Sequence, residues 1–115
     1  MLNYSRASQT HIMYKLNYFV PKEAKEQTKQ ALFALGVGKY KNYECCCFET
    51  LGQGQFKPIK DANPYIGNIG RLEIVQEYKI EMICEEKLIQ KAIKVLKENH
   101  PYEEVAYEVI KLEDF

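Results

Sequence analysis

The alternation of apolar and polar positions along the chain predicts four β-strands. Residues 14–20 are rich in aromatic and β-branched side chains, and further strands are predicted at about 43–50, 72–84 and 106–112. The third strand has the clearest period of two, with charged residues on one face and apolar residues on the other. The apolar residues of that strand are Leu72, Ile74, Tyr78, Ile80, Met82 and Cys84.

Two segments have the period of an α-helix. The first follows Pro21, which suits the first turn of a helix, and ends before Gly36, which suits a left-handed cap. The second ends near Asn99, because Pro101 disfavours helical backbone at His100. The apolar face of the first comprises Ala24, Thr28, Ala31, Leu32 and Leu35, and that of the second Leu88, Ile89, Ala92, Ile93 and Leu96.

The order of these elements predicts an α+β fold of the ferredoxin-like βαββαβ type. Right-handed crossovers would interleave the two halves into one antiparallel sheet, with two helices on one face and a long loop between strands 2 and 3. The other face carries Phe19, Val75 and Ile83 among charged residues. An apolar patch on an open face is typical of an oligomer contact.

The composition of the 115 residues indicates an ordinary globular protein, with a flexible tail at 1–12 and a single domain at 13–115. The tail lacks the apolar core of a signal peptide, so we expect a cytoplasmic protein. The 16 basic residues balance 16 acidic ones, which gives no reason to expect nucleic acid or an anionic membrane as a partner. No apolar run reaches the roughly 18 residues that a membrane span needs.

Four cysteines, Cys45, Cys46, Cys47 and Cys84, lack the spacing of a zinc site or a disulfide framework. Three lie in a row in the predicted second strand, where neighbours point to opposite faces. We expect all four to be reduced and to pack as small hydrophobic residues. A redox or soft-metal role is the alternative.

Residues 52–70 form a segment rich in glycine and proline, with no helical or strand period. A structureless segment of this length is usually functional or disordered, and Phe56, Tyr65 and Ile66 make it too apolar for a disordered linker. The pattern of a known phosphate-binding loop is absent. The segment is therefore either a hairpin connection that folds back on the sheet or a loop that binds a ligand.

The sequence HPYEEVAY, residues 100–107, places one histidine and two carboxylates at the end of the second helix. His100, Glu103 and Glu104 are residue types that bind a divalent metal ion or transfer protons. They are few ligands for a metal site, and in an extended segment only one glutamate shares the side of His100. The alternative is a turn with a solvated acidic pair.

The two segments together, GQGQFKP and NPYIG followed by HPYEE, resemble the insert domain of the Nif-three-like, or YqfO, proteins. Those proteins are hexameric, hold a dinuclear metal site and have a poorly defined activity; their insert domain also occurs as a short stand-alone protein. The resemblance covers residues 13–112, with Val105 where the family often has proline, and implies a fold similar to the CutA and PII trimers. It does not reach the metal-binding domains of the full-length proteins, so neither the dinuclear site nor a hydrolase activity is carried over.

We expect the loop to fold back against the sheet and the His100 turn and to form one face of a ligand-binding pocket, within one subunit or between subunits. A divalent metal ion is the one cofactor that the residues suggest, with His100, Glu103 and Glu104 as its ligands. The expected pocket residues are Gly52, Gly54, Phe56, Pro58, Asn63, Pro64, Tyr65, Gly67, Gly70, Glu73, His100, Tyr102, Glu103 and Glu104.

These observations favour a non-enzymatic binding or regulatory module that senses a small ligand or a metal ion. One alternative is a small enzyme that uses His100 with Glu103 or Glu104 as acid and base, and another is a pure assembly domain. The open sheet face and the resemblance favour a homo-oligomer, with a trimer preferred over a dimer.

Overall fold

A computed structural model of the chain describes residues 12–115. The predicted flexible tail therefore lies outside the described residues, except for Ile12. The carbonyl oxygen of Ile12 accepts a hydrogen bond from the backbone N–H of Glu86 at 3.1 Å, so this residue contacts the beginning of a helix. No helix within residues 12–115 is long and apolar enough to cross a membrane.

The strands and helices alternate as the sequence predicts. In chain order the described residues form β1 (Met13–Val20), α1 (Lys22–Leu35), β2 (Phe48–Phe56), β3 (Glu73–Glu85), α2 (Glu86–Asn99) and β4 (Tyr107–Lys111).

The strands form one antiparallel sheet in the order β2-β3-β1-β4. The interior strand β1 pairs with β3 from Met13↔Glu85 to Val20↔Tyr78, and its other edge pairs with β4. This order, with a helix in each crossover, confirms the predicted ferredoxin-like α+β fold. The first helix ends at Gly36, which has the predicted left-handed conformation with φ of 106°.

The main core lies between the sheet and the two helices. The Tyr18 hydroxyl donates a hydrogen bond to Thr28 Oγ1 at 2.9 Å, and the Thr28 hydroxyl donates to the Lys25 carbonyl oxygen at 2.8 Å. These bonds satisfy the polar groups in the contact between β1 and α1. The buried apolar residues around them are Leu16, Val20, Ile80, Met82 and Cys84 on the strands and Ala24, Leu32, Ala92 and Leu96 on the helices.

The predicted start of the second strand, at about Tyr43, is wrong. The backbone there forms an isolated bridge between Tyr40 and Tyr43. It then passes through Cys45, whose φ of 58° is left-handed and cannot continue a strand. The strand begins at Phe48 only after this turn.

The second strand also continues into the segment that the sequence assigns to a loop. Gly52, Gly54 and Phe56 belong to β2 and pair with β3. Glycine has a low strand propensity, so the sequence does not indicate a strand here. The hydrogen bonds between the two strands join backbone groups and form without any side chain. The connecting loop is therefore residues 57–72.

The β2–β3 hairpin extends beyond the rest of the sheet. Residues 73–77 of β3 pair with residues 52–56 of β2 but not with β1, whose last partner is Tyr78. We call these two paired segments the arm. The arm helps to make the molecule elongated, with extents of 48, 25 and 24 Å.

Cysteines 45–47 precede β2 instead of lying in it, and all four cysteines are free thiols. Cys46 packs with Met13, Tyr40 and Ile83 on the sheet face opposite the helices. Ile83 is therefore buried, and this end of the face is covered by the chain after α1 rather than open as predicted.

Candidate functional site

The loop after β2 folds back onto the turn that follows α2. The backbone N–H of Asn63 donates a hydrogen bond to the Glu103 carboxylate at 2.9 Å. The rings of Tyr65 and Tyr102 lie with their centroids 6.0 Å apart. The loop and the HPYEE turn, far apart in sequence, thus form one structural unit.

The glycine at position 67 allows the loop to close. Gly67 has φ of 95°, and a Cβ atom there would lie only 2.6 Å from Glu73 Cγ, so a larger residue would be strained and crowded. The loop is also closed by the N–H of Gly70, which donates to the Pro58 carbonyl oxygen at 2.7 Å.

Between the loop, the end of β2 and the turn lies a cavity of about 380 Å³. Its size falls in the range typical of small-molecule sites. Its wall is mainly apolar and aromatic, with a few charged side chains. The residues that line it are Gln55, Phe56, Lys57, Pro58, Ile59, Ala62, Pro64, Tyr65, Ile66, Glu77, Tyr102, Glu103, Glu104 and Ala106.

Tyr102 lies at the centre of this wall. Its ring contacts those of Phe56, Tyr65 and His100, with centroid distances of 6.5, 6.0 and 4.8 Å. The hydroxyl oxygen is buried and has no hydrogen bond of good geometry within residues 12–115. Burial raises the pKa of Tyr102, and the negative charge of Glu77 raises it further. The phenol therefore stays protonated and has a hydrogen to donate.

Glu77 projects from the sheet face opposite the helices. Its carboxylate lies against the backbone of Gly54, where a Cβ atom would overlap it. It borders both the cavity and a second groove on this face, of about 400 Å³. The other residues of that groove are Phe19, Thr50, Gly52, Gln53, Gly54, Lys79 and Glu81.

His100 is buried beside the cavity and is not one of the residues that line it. Its Nδ1 accepts a hydrogen bond from the N–H of Tyr102 at 3.1 Å, so Nε2 carries the proton and donates to the Phe19 carbonyl oxygen at 2.7 Å. Burial lowers the pKa of His100, against the opposing effects of the Phe19 carbonyl and Glu77. The neutral ring thus joins the turn to β1, and both of its nitrogens are occupied.

Both glutamates of the turn line the cavity, contrary to the expectation from an extended segment. Residues 103 and 104 form a bend, so the two side chains need not point to opposite sides. Within residues 12–115 no group of three or more histidine, cysteine or acidic side chains is arranged to hold a metal ion. The predicted metal ligands His100, Glu103 and Glu104 are therefore near one another but do not form such a group in a single chain.

Half of the predicted pocket residues line the cavity, namely Phe56, Pro58, Pro64, Tyr65, Tyr102, Glu103 and Glu104. The other half do not line it. Gly52 and Gly54 lie on the second groove, His100 packs behind Tyr102, Asn63 joins the loop to Glu103 through its backbone N–H, and Gly67, Gly70 and Glu73 shape the loop. Sequence reasoning missed Glu77 because strand alternation places it among ordinary solvent-facing charges. The feature that distinguishes Glu77 is its position opposite two glycines of β2, and this position is known only when the strand register is known.

No family model matches the chain. A curated protein of Staphylococcus epidermidis, "GTP cyclohydrolase 1 type 2 homolog", is 41% identical over 99 residues, which cover 86% of this chain and 27% of that protein. The solved structure of a Bacillus cereus protein related to NIF3 has 38% identity and a TM-score of 0.78, over 93% of this chain and 28% of that one. This chain thus spans less than a third of the length of these relatives.

Two further solved structures show the same fold at low identity. CutA from Archaeoglobus fulgidus has a TM-score of 0.63 at 13% identity, covering 85% of this chain and 81% of that one. The Bacillus subtilis GlnK–ATP complex has a TM-score of 0.61 at 13% identity, covering 90% of this chain and 84% of that one. This chain therefore belongs, as a domain that matches part of longer proteins, to the Nif-three-like (YqfO) family, and it has the ferredoxin-like fold of CutA and PII-type proteins.

Proposed function

We propose that this domain is a non-enzymatic module that binds a small molecule in the cavity between the loop and the HPYEE turn. The observation that carries the proposal is the combination of aromatic walls with the buried Tyr102 hydroxyl, which lies beside Glu77 and has no hydrogen bond of good geometry within residues 12–115. Ligand sites typically combine an apolar wall with a few polar groups that orient the ligand. The cavity has both.

Binding is favoured over catalysis because the histidine is not available as an acid or base. Both nitrogens of His100 are engaged by backbone groups, and its lowered pKa keeps it neutral. Among the cavity's charged groups, Glu103 already accepts the Asn63 N–H. Because both nitrogens of His100 are engaged in this way, a small molecule is also a better candidate than a metal ion.

The test is a ligand screen with a matched pair of variants. Phe56 and Phe48 lie at opposite ends of β2, but only Phe56 lines the cavity and contacts Tyr102. Hits are first identified by thermal shift on the wild type, because a ligand that binds only the folded chain raises its stability. Phe56→Ala should weaken these hits, whereas Phe48→Ala should not. Equal loss in both variants, or no hit in a broad fragment library, would contradict the proposal.

We also propose that the domain self-associates through the arm. Ile74 in the arm and Leu51, directly before the arm, lie on the same face of the hairpin. Both are more than half exposed, as is Leu72, directly before β3. The edge strand β2 leaves its outer backbone groups unpaired within the described residues, and such edges favour pairing with another chain. A second copy of this chain is the partner that we propose, with a trimer preferred over a dimer because of the resemblance to CutA and PII trimers.

A further inference from the structure

The charges that border the cavity are mostly negative. Glu77, Glu103 and Glu104 all line it, against the single cationic side chain of Lys57. None of these four residues forms an ion pair within the part of the chain that the structure describes. A cavity with unneutralised carboxylates attracts cations and repels anions.

The surrounding rings offer a second type of attraction for a cation. In the cavity wall, the ring of Tyr102 contacts the rings of Phe56 and Tyr65. The face of an aromatic ring attracts a cation within about 6 Å, and the attraction grows when the cation is removed from water. Aromatic walls with nearby carboxylates are therefore suited to an organic cation, in which charge and apolar surface lie in one molecule.

Glu77 is the carboxylate best placed to pair with the positive charge of a ligand. Unlike Glu103, it accepts no backbone hydrogen bond from the loop. Its carboxylate is held against the backbone of Gly54, beside the buried hydroxyl of Tyr102. When a ligand donates hydrogen bonds to Glu77, the Tyr102 hydroxyl can donate its own hydrogen bond to an acceptor atom of that ligand or to the Glu77 carboxylate.

We propose that the ligand of this cavity is a small organic cation, a protonated amine, amidine or guanidine on a planar apolar body, with Glu77 as its counter-ion. This inference rests on the proposed small-molecule function and adds the chemical class of the ligand. Metal ions are less suited, because no group of three potential ligands exists within residues 12–115. Anions are opposed by the three carboxylates.

The test uses three probes of the same shape and different charge: benzamidine, benzamide and benzoate. Their affinities for the full chain are measured by ligand-observed NMR at low salt. Benzamidine should bind at least about tenfold more tightly than benzamide, the usual effect of one charge-assisted hydrogen bond. Glu77→Gln should remove this preference and leave benzamide binding unchanged. Glu113→Gln, at an exposed glutamate outside the cavity, should behave as the wild type.

The outcomes separate this inference from the proposed function. Binding of benzamide or benzoate as tight as that of benzamidine overturns the cationic class and leaves a small-molecule site. Retention of the preference in both Glu77→Gln and Gly54→Ala, which displaces the same carboxylate, overturns the role of Glu77. Absence of binding by all three probes overturns the inference, and the fragment screen then decides on the site itself.

Discussion

At the residue scale, two glycines of β2 differ in which atoms surround the position that a Cβ atom would occupy. A Cβ atom at Gly54 would overlap the Glu77 carboxylate, whereas nothing lies within 4 Å of one at Gly52. We predict that Gly52→Ala is neutral or stabilises the fold by up to about 1 kcal/mol, because alanine reduces the freedom of the unfolded chain. Gly54→Ala should cost more and shift the amide resonance of Tyr102, because Glu77 must move. Equal free energies of unfolding and unchanged Tyr102 shifts in both variants would contradict this.

His100 gives a prediction for the pH dependence of stability. Its pKa in the folded chain is below the ordinary value of 6.5, so the unfolded state binds more protons. The stability that neutral His100 contributes is therefore fully present above pH 6.5 and is lost as the pH falls through the lowered pKa. Urea midpoints of the wild type should fall over this interval, and those of His100→Gln should fall less. Parallel curves would show that His100 does not titrate differently in the two states.

Some of the site could be predicted at this scale and some could not. The loop and the turn carry glycine, proline and aromatic signals that distinguish them in the sequence, and half of the residues expected for the pocket line the cavity. The role of His100 could not be predicted, because its partner is the backbone carbonyl of Phe19, a group that every residue has. Glu77 could not be distinguished from other strand glutamates without the register that places it beside Gly54.

At the element scale, the contact of α1 with β1 depends on the buried bond between Tyr18 and Thr28. We predict that Thr28→Val destabilises the fold by about 1–3 kcal/mol, because it leaves the Tyr18 hydroxyl buried without an acceptor. Thr28→Ser retains the hydroxyl and should cost less. Adding Tyr18→Phe to Thr28→Val should restore part of the loss in chemical denaturation. If the double variant is less stable than the sum of the single changes, the bond is not the cause.

The elements themselves follow from the sequence wherever side chains carry the period. Both helices and β1 are amphipathic or apolar enough to be read directly, and β3 differs from its prediction only at its ends. β2 is different, because two glycines and two glutamines occupy its second half. Its pairing with β3 is formed by backbone hydrogen bonds, so the pairing is seen in the structure and not in the side-chain pattern.

At the scale of the whole molecule, the exposed arm gives a prediction for assembly. Light scattering of the wild type at micromolar concentration should show an oligomer, with a trimer preferred. Ile74→Lys should shift it toward the monomer, because it places a charge in the apolar contact. Ile69→Lys, an equally exposed isoleucine in the loop and not in the arm, is the control and should leave the oligomer intact. A monomeric wild type would contradict the prediction.

The pairing of β1 with β4 has a consequence for how such a domain can be combined with others. The N–H of Leu112 donates to the carbonyl oxygen of Met13 at 2.9 Å, so the two ends of the folded unit lie side by side. A host protein could therefore receive the whole unit at one point of a surface loop, which would have to open by only about 5 Å, the spacing of paired strands. Gain or loss of the unit would leave the host's own fold undisturbed. This geometry makes the domain a transferable building block.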